Sequence, residues 1–209
     1  MENSNCKTCR RAQAKLFLKG ERCATPKCAM VTKPYTPGAL GKSGGKRKGR
    51  RGSSEYGIQL RDKQVVKFSY GLRERQFSNY VKEASNKKGI ASMELVKLLE
   101  SRLDNVIYRL GFTPNRVSSR QFVSHGHITI NGRRNNIPSY RVRIGDKIGI
   151  RAGSVNKGPV ADLSERWQKF EAPTWISLDK DKKEATIISE ATSDDTRFNF
   201  NSIIELYSR

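Results

Sequence analysis

Acid is scarce in this 209-residue chain: 20 Asp and Glu face 41 Lys and Arg, for a formal net charge of +21 at pH 7. Self-repulsion on that scale needs a polyanion to offset it, which makes nucleic acid the first candidate partner. Apolar residues are also few, at 35% with a mean hydropathy of −0.70, which argues against one large buried core. No run approaches the roughly 20 apolar residues of a membrane-spanning helix. No Lys-rich amphipathic helix stands alone as a surface anchor, so no membrane partner is expected. The opening residues MENSNCKTC lack the apolar core of a signal peptide, and we expect a cytoplasmic chain. No internal repeat is visible. Cysteine is absent after residue 28, and in the cytoplasm such clustered thiols more often bind metal than form disulfides.

The charge that is there is unevenly spread. Residues 1–52 carry 14 basic and two acidic side chains, and residues 101–151 carry ten and two. Residues 53–100 carry nine and six, and residues 152–209 carry eight and ten. Within the first block, the stretch from Gly38 to Ser54 is too polar and Gly-rich to pack a core. Its Lys46, Arg47, Lys48, Arg50 and Arg51 suit either a segment that threads RNA or an ordinary basic linker.

Periodicity supplies the coarse architecture. Phe77, Tyr80, Val81 and Ala84 recur at helical spacing and predict a helix from about Glu74 to Asn86, stopped by Lys87, Lys88 and Gly89. Ser92 reads as the cap of a longer helix whose buried stripe is Val96, Leu99, Leu103, Val106 and Leu110, with Gly111 as the stop. Asn115 caps a third helix that ends at Gly126. Strands are expected at 128–130, around Tyr140 to Arg143 and at Lys147 to Ile150, with turns at Asn131-Gly132 and Gly145-Asp146. A short helix at Leu163 to Phe170 and strands at Thr174 to Leu178 and Ala185 to Ile188 complete an α+β chain. We expect a mostly helical N-terminal part with a zinc-bound loop, followed by a helical pair with a small antiparallel β element.

Cys6 and Cys9 are separated by two residues, Cys23 and Cys28 by four, and a longer loop joins the pairs. That spacing suits a tetrahedral thiolate zinc site, because each short spacing wraps backbone round one side of the ion. It also admits free thiols, a disulfide pair or an iron–sulfur cluster. With all four cysteines engaged there would be no open position for catalysis, so a Zn2+ here would be structural. Lys7, Arg10 and Arg11 surround the ligands and give the loop a basic surface.

In the second block, Arg116, Arg120, Arg133, Arg134, Arg141 and Arg143 accompany a helix, a glycine stop and a hairpin, opposed by Asp104 and Asp146. Arginine suits phosphate because its planar fork donates two parallel hydrogen bonds. With so few acids nearby, few of these cations can be held in helix-type ion pairs, so RNA contact is the expectation. His125 and His127 flank Gly126 with no metal or catalytic partners in sight. They read as helix-capping or RNA-contacting groups.

The segments SRLDNVIYRLGF at 101–112, SRQFVSHGHITINGRR at 119–134, PSYRVRIGD at 138–146 and the terminal ELYSR are similar to the S-four family of bacterial small-subunit ribosomal proteins. LKGERC, PKCAM, YGIQLRDKQ and YGLRERQF follow in the same family order, so the resemblance covers nearly the whole chain. It implies a non-enzymatic protein that binds 16S rRNA early in subunit assembly, contacts protein S-five, and lies near the mRNA entry channel with a link to translational accuracy. It implies that Cys6, Cys9, Cys23 and Cys28 belong to a zinc-binding subtype and that Gln121 joins the arginines and histidines of the RNA surface. The expected division is a zinc-binding segment at 1–52, a helical part at 53–98, an S-four-type RNA-binding module at 99–160, and a C-terminal segment at 161–209 packing back on the first domain. The same module occurs in RNA-modifying and aminoacylating enzymes, but the residues after Arg151 carry no catalytic motif and are too few for a second catalytic domain.

Overall fold

A computed structural model describes residues 2–38, 54–154, 160, 163–168, 170–192, 195 and 197–208. The chain forms two compact units, Met1–Ser92 with Asp195–Arg209, and Met93–Asp194. The Gly/Lys-rich stretch and its Lys46, Arg47, Lys48, Arg50 and Arg51 lie outside the described residues.

In the first unit, α1 (Glu2–Ala12) leads through a 3-10 turn (Gly20–Cys23) to the short α2 (Ala29–Thr32). The longer α3 (Glu55–Ser69) and α4 (Glu74–Asn86) follow, and α9 (Phe200–Ser208) returns from the end of the chain onto α3 and α4. The Ser54 hydroxyl accepts from Gly57 N at 3.2 Å and so fixes the start of α3. Asn199 does the same for α9 through Ser202 N, also at 3.2 Å. The stripe that predicted α4 is buried as expected, with Phe77 and Ala84 fully enclosed. A small separate core gathers Cys9, Ala12 and Leu16 with Met30, Val65 and Phe68.

The second unit is built round a five-stranded antiparallel sheet in the order β2-β1-β3-β5-β4, where β1 is Ile128–Ile130, β2 Arg133–Asn135, β3 Lys147–Ile150, β4 Ile176–Asp179 and β5 Glu184–Ile187. The helices are α5 (Ala91–Glu100), α6 (Leu103–Arg109), α7 (Arg116–Ser124) and α8 (Leu163–Gln168). Ile130, Ile148, Ala185 and Leu178 stand opposite one another across four strands, so one face of the sheet packs on the helices. Leu103, Val106, Ile107, Leu110, Phe112, Ile128 and Ile148 are all fully buried, each contributing on the order of 1.5–3 kcal/mol of transfer free energy. Trp167 closes the core against Phe112 and donates its indole N–H to Leu110 O at 2.9 Å.

Four expectations need correction. The long helix from Ser92 to Leu110 is two helices, broken where Arg102 takes an extended conformation (φ −69°, ψ 135°). The break is stable because residues 138–142 run alongside it. Leu103 N donates to Tyr140 O, Asp104 N to Pro138 O and Val142 N to Ser101 O, so the first N–H groups of α6 find carbonyl partners. For the same reason Tyr140 to Arg143 is no sheet strand; its one ladder contact is a bridge from Arg141 to Arg102. Ser92, lying inside α5, is not its cap, and Val96 is only half-buried. Finally, the segment 161–209 does not pack as a whole on the first unit. β4 and β5 complete the second unit's sheet, and only the part from Asp195 onward belongs to the first.

Candidate nucleic-acid interface

The arginines of the second basic block fall into two sets, and the acids decide which is which. Glu100 is fully buried at the end of α5, and Arg109 grips it with both forks, Nε to Oε2 at 2.8 Å and Nη2 to Oε1 at 2.7 Å. Asn105 donates to the same carboxylate at 2.7 Å, and Arg116 approaches it at 4.0 Å. Arg116 also donates to Asn105 Oδ1 at 2.7 Å and lies over the Tyr108 ring, leaving 10% of its side chain exposed. Arg102, at 1% exposure, makes a two-point pair with Asp104. Arg116, expected on the RNA surface, is half-buried and held mainly by protein partners. A carboxylate withdrawn from water must be fully matched, which is why Glu100 holds so many donors.

Asp146 is used differently. Its two oxygens accept from Asn131 Nδ2 at 2.9 Å and from Arg143 N at 2.8 Å, both neutral donors. Asn131 in turn accepts from Lys147 N at 2.9 Å and occupies a left-handed conformation (φ +51°), followed by Gly132 at φ +79°. Both central residues of the β1–β2 hairpin thus have the positive φ that the Asn-Gly pair predicted. The carboxylate fastens this turn to the turn at 143–146 without neutralising an arginine side chain.

What remains on the surface is cationic. Arg133, Arg134, Arg141, Arg143, Lys147 and Arg151 are exposed, as is Gln121 on α7, while Arg120 is half-buried. Among the described residues neither Arg133 nor Arg143 forms an ion pair. Arg134 donates to His125 O at 3.3 Å, so a guanidinium occupies the negative C-terminal end of α7. The expected capping therefore comes from Arg134, which the sequence reading placed only on the RNA surface. The two histidines part company. His127 is held inside by Ser154 Oγ at 2.9 Å and stacks on Phe122, while His125 is exposed.

In the first unit, Lys7 and Arg11 are exposed on α1, and Arg10 is tied down by donating to Tyr35 O at 2.8 Å with its guanidinium over the Tyr35 ring. Cys6 and Cys9 lie on α1, Cys23 ends the 3-10 turn and Cys28 precedes α2. All four are free thiols, three of them buried. They are near enough to act on one another: burial pushes the Cys9 thiol up, and the neighbouring Cys23, Cys6 and Cys28 push it further. Burial likewise raises Cys23, which also has Cys28 as a hydrogen-bond partner. The donor set suits a soft, thiophilic ion in kind. Among the described residues, however, no three or more His, Cys, Asp or Glu side chains stand in an arrangement that could hold a metal. No helix among the described residues is long and apolar enough to cross a membrane.

A mixed α/β module with a basic hairpin, joined to a helical unit, is the architecture of a ribosomal RNA-binding protein, and comparison with known proteins agrees. Residues 1–100 match the family model described as the ribosomal protein S4/S9 N-terminal domain, and residues 101–148 match the S4 domain. The chain is 45% identical to the small ribosomal subunit protein uS4 of Syntrophomonas wolfei over 210 residues, covering 99% of this chain and 98% of that one. It is 46% identical to the protein of the same name from Kosmotoga olearia and 45% identical to that of Thermus thermophilus, each over 206 residues, 98% of this chain and 96% of the relative. The chain belongs to the uS4 family of small ribosomal subunit proteins, a structural family and not an enzymatic one.

Proposed function

We propose that this chain is a structural constituent of the bacterial small ribosomal subunit, working in the cytoplasm, and that it binds 16S rRNA directly. The observation that carries the reading is the division of the arginines. Glu100 and Asp104 are spent on Arg102, Arg109 and Arg116, and Asp146 on neutral donors, so Arg133, Arg134 and Arg143 are left to face solvent. Folded RNA is recognised largely through phosphate and ribose, and a fixed cationic surface suits that task without a base-reading helix. Binding of the full chain to 16S rRNA should fall steeply with salt. Neutralising about 6–10 phosphates corresponds to a loss of roughly 10³–10⁵ in affinity between about 50 and 200 mM. Salt-insensitive binding would contradict the reading.

Finer assignments rest on the family resemblance. They are early binding in subunit assembly, contact with protein S-five, a position near the mRNA entry channel and an influence on translational accuracy. A zinc-binding subtype is supported by the spacing of the cysteines and by their free thiols. Cys6, Cys9, Cys23 and Cys28 would hold the ion, which would cross-link α1 to the loop before α2. Such a link would order a segment whose own basic charge opposes compaction.

A further inference from the structure

Three aromatic rings gather at the end of α7, the first two stacked and the third tilted by 54° to the second. Phe122 is in the core, with 4% of its surface exposed. The imidazole of His127 stacks on it, with ring centroids 4.7 Å apart and planes 24° from parallel. Ser154 Oγ, 2.9 Å from His127 Nδ1, fixes that ring from its edge. His125 comes next, its centroid 5.9 Å from that of His127, and it is exposed to solvent. The chain can place both histidines at this spot because Gly126 between them has φ +71°. It can also place a cation there, because a Cβ at Gly126 would overlap the Arg134 guanidinium. Arg134 lies across the glycine and donates to His125 O, leaving its other N–H groups for an acceptor from outside.

We propose that His125 and Arg134 form a nucleotide-binding ledge, in which the exposed imidazole stacks on one unpaired RNA base and the guanidinium holds the adjoining phosphate. The proposal rests on the RNA-binding reading above and adds to it a ligand of defined chemistry, a single unstacked nucleotide. Two features favour stacking over a plain backbone contact. The outer ring lies beside His127, itself held by Phe122 and Ser154, so little side-chain freedom is lost when a base covers it. A neighbouring cation at a set position completes the pair of contacts by which proteins hold single-stranded nucleotides, a flat face for the base and a positive charge for the backbone.

The experiment compares wild type, His125→Ala, His125→Phe and Arg134→Ala as full-length chains binding a 16S rRNA transcript across a salt series. Because His125 is exposed, its variants should melt as the wild type does, which controls for folding. The His125→Ala chain should bind about fivefold more weakly or worse, with an unchanged salt slope, since a base–ring contact displaces no counterion. The His125→Phe chain should bind as well as wild type, and Arg134→Ala should lower the salt slope by about one phosphate contact. Wild-type affinity in His125→Ala would overturn the ledge. So would equal losses in the Ala and Phe variants, which would mark a hydrogen bond, or a reduced slope in His125→Ala, which would mark a charge. Failure of the wild type itself to bind the transcript would instead remove the RNA reading, and this proposal with it.

Discussion

In the first unit the best-connected carboxylate, Glu74, stands half exposed and gathers Lys63 at 2.6 Å, Lys67 at 2.8 Å and the Tyr207 hydroxyl at 3.0 Å. In the second, Glu100 is fully buried and gathers Arg109, Asn105 and Arg116. Both clusters join segments distant in sequence or separated by a helix break, but they do so in different solvents. The Glu74 cluster fastens α9 to α3 and α4 with water present, and Gln59 adds a second tie by donating to Glu205 at 3.2 Å. The Glu100 carboxylate itself is fully buried, so it depends on the donors that meet it there. Exposed ion pairs contribute little, and buried ones cost much to break on one side. In the first unit the ties are therefore accessory to a core of Val66, Phe77, Val81 and Ile203, whereas in the second the charged cluster is itself part of the interior.

The sharpest way to break this contrast is at the cysteines. If the proposed zinc site is real, Cys23→Ser or a strong chelator should strip it of the ion and unfold the loop containing α1 and α2, since structural zinc contributes apparent folding free energy on the order of 10 kcal/mol or more. The second unit, whose core includes none of the cysteines, should keep its slow amide exchange, and RNA binding should weaken without vanishing. Metal content, hydrogen exchange and RNA affinity measured side by side check this. A wild-type chain that carries no zinc yet binds RNA fully would end the zinc assignment.

A smaller effect is expected inside the second unit. Glu100→Ala leaves Arg109 and Arg116 without their buried partner and should cost about 3–5 kcal/mol, read as a lowered urea midpoint. The substitution touches no exposed arginine, so any RNA affinity retained below the melting transition should keep the wild-type salt slope.

The smallest effect belongs to Glu74. Partial burial would raise its pKa, but hydrogen bonds from Lys63, Lys67 and Tyr207 more than offset this and bring it down from 4.5 to about 2. A carboxylate lowered in the folded state adds stability that is complete above about pH 4.5 and is lost as pH falls toward 2. Because half of its side chain is exposed, screening keeps the contribution under about 1 kcal/mol. The stability difference between wild type and Glu74→Gln should therefore shrink across that window. A difference constant with pH would show that the cluster is not linked to protonation.

How much of this was legible beforehand depended on whether the signal was local. The helix Glu74–Asn86 was read to the residue because Phe77, Tyr80, Val81 and Ala84 make a clean apolar stripe. The Asn131-Gly132 turn was read because its dihedral angles demand those residue types. α3 escaped because its buried positions include Gln59 and Ser69 while Tyr56 and Ile58 are exposed, which blurs the period. The break at Arg102 escaped because its cause is non-local: the carbonyls that satisfy α6 belong to residues 138 and 140. For the site, composition and resemblance together picked out the exposed arginines, but they could not separate Arg116 from Arg133. That distinction is made by Glu100, sixteen residues before Arg116, and only the folded arrangement brings the two together. An acid directly after the apolar pair Leu98-Leu99, at the end of a helical stripe, was the available hint.

The β2 strand has one further consequence. It is three residues long and lies at the edge of its sheet, carrying Arg133 and Arg134, both exposed. An open edge invites a second chain to add a strand, and a like-charged arginine pair brought against its own copy repels it. An edge of that charge therefore disfavours strand addition by a second copy of the chain.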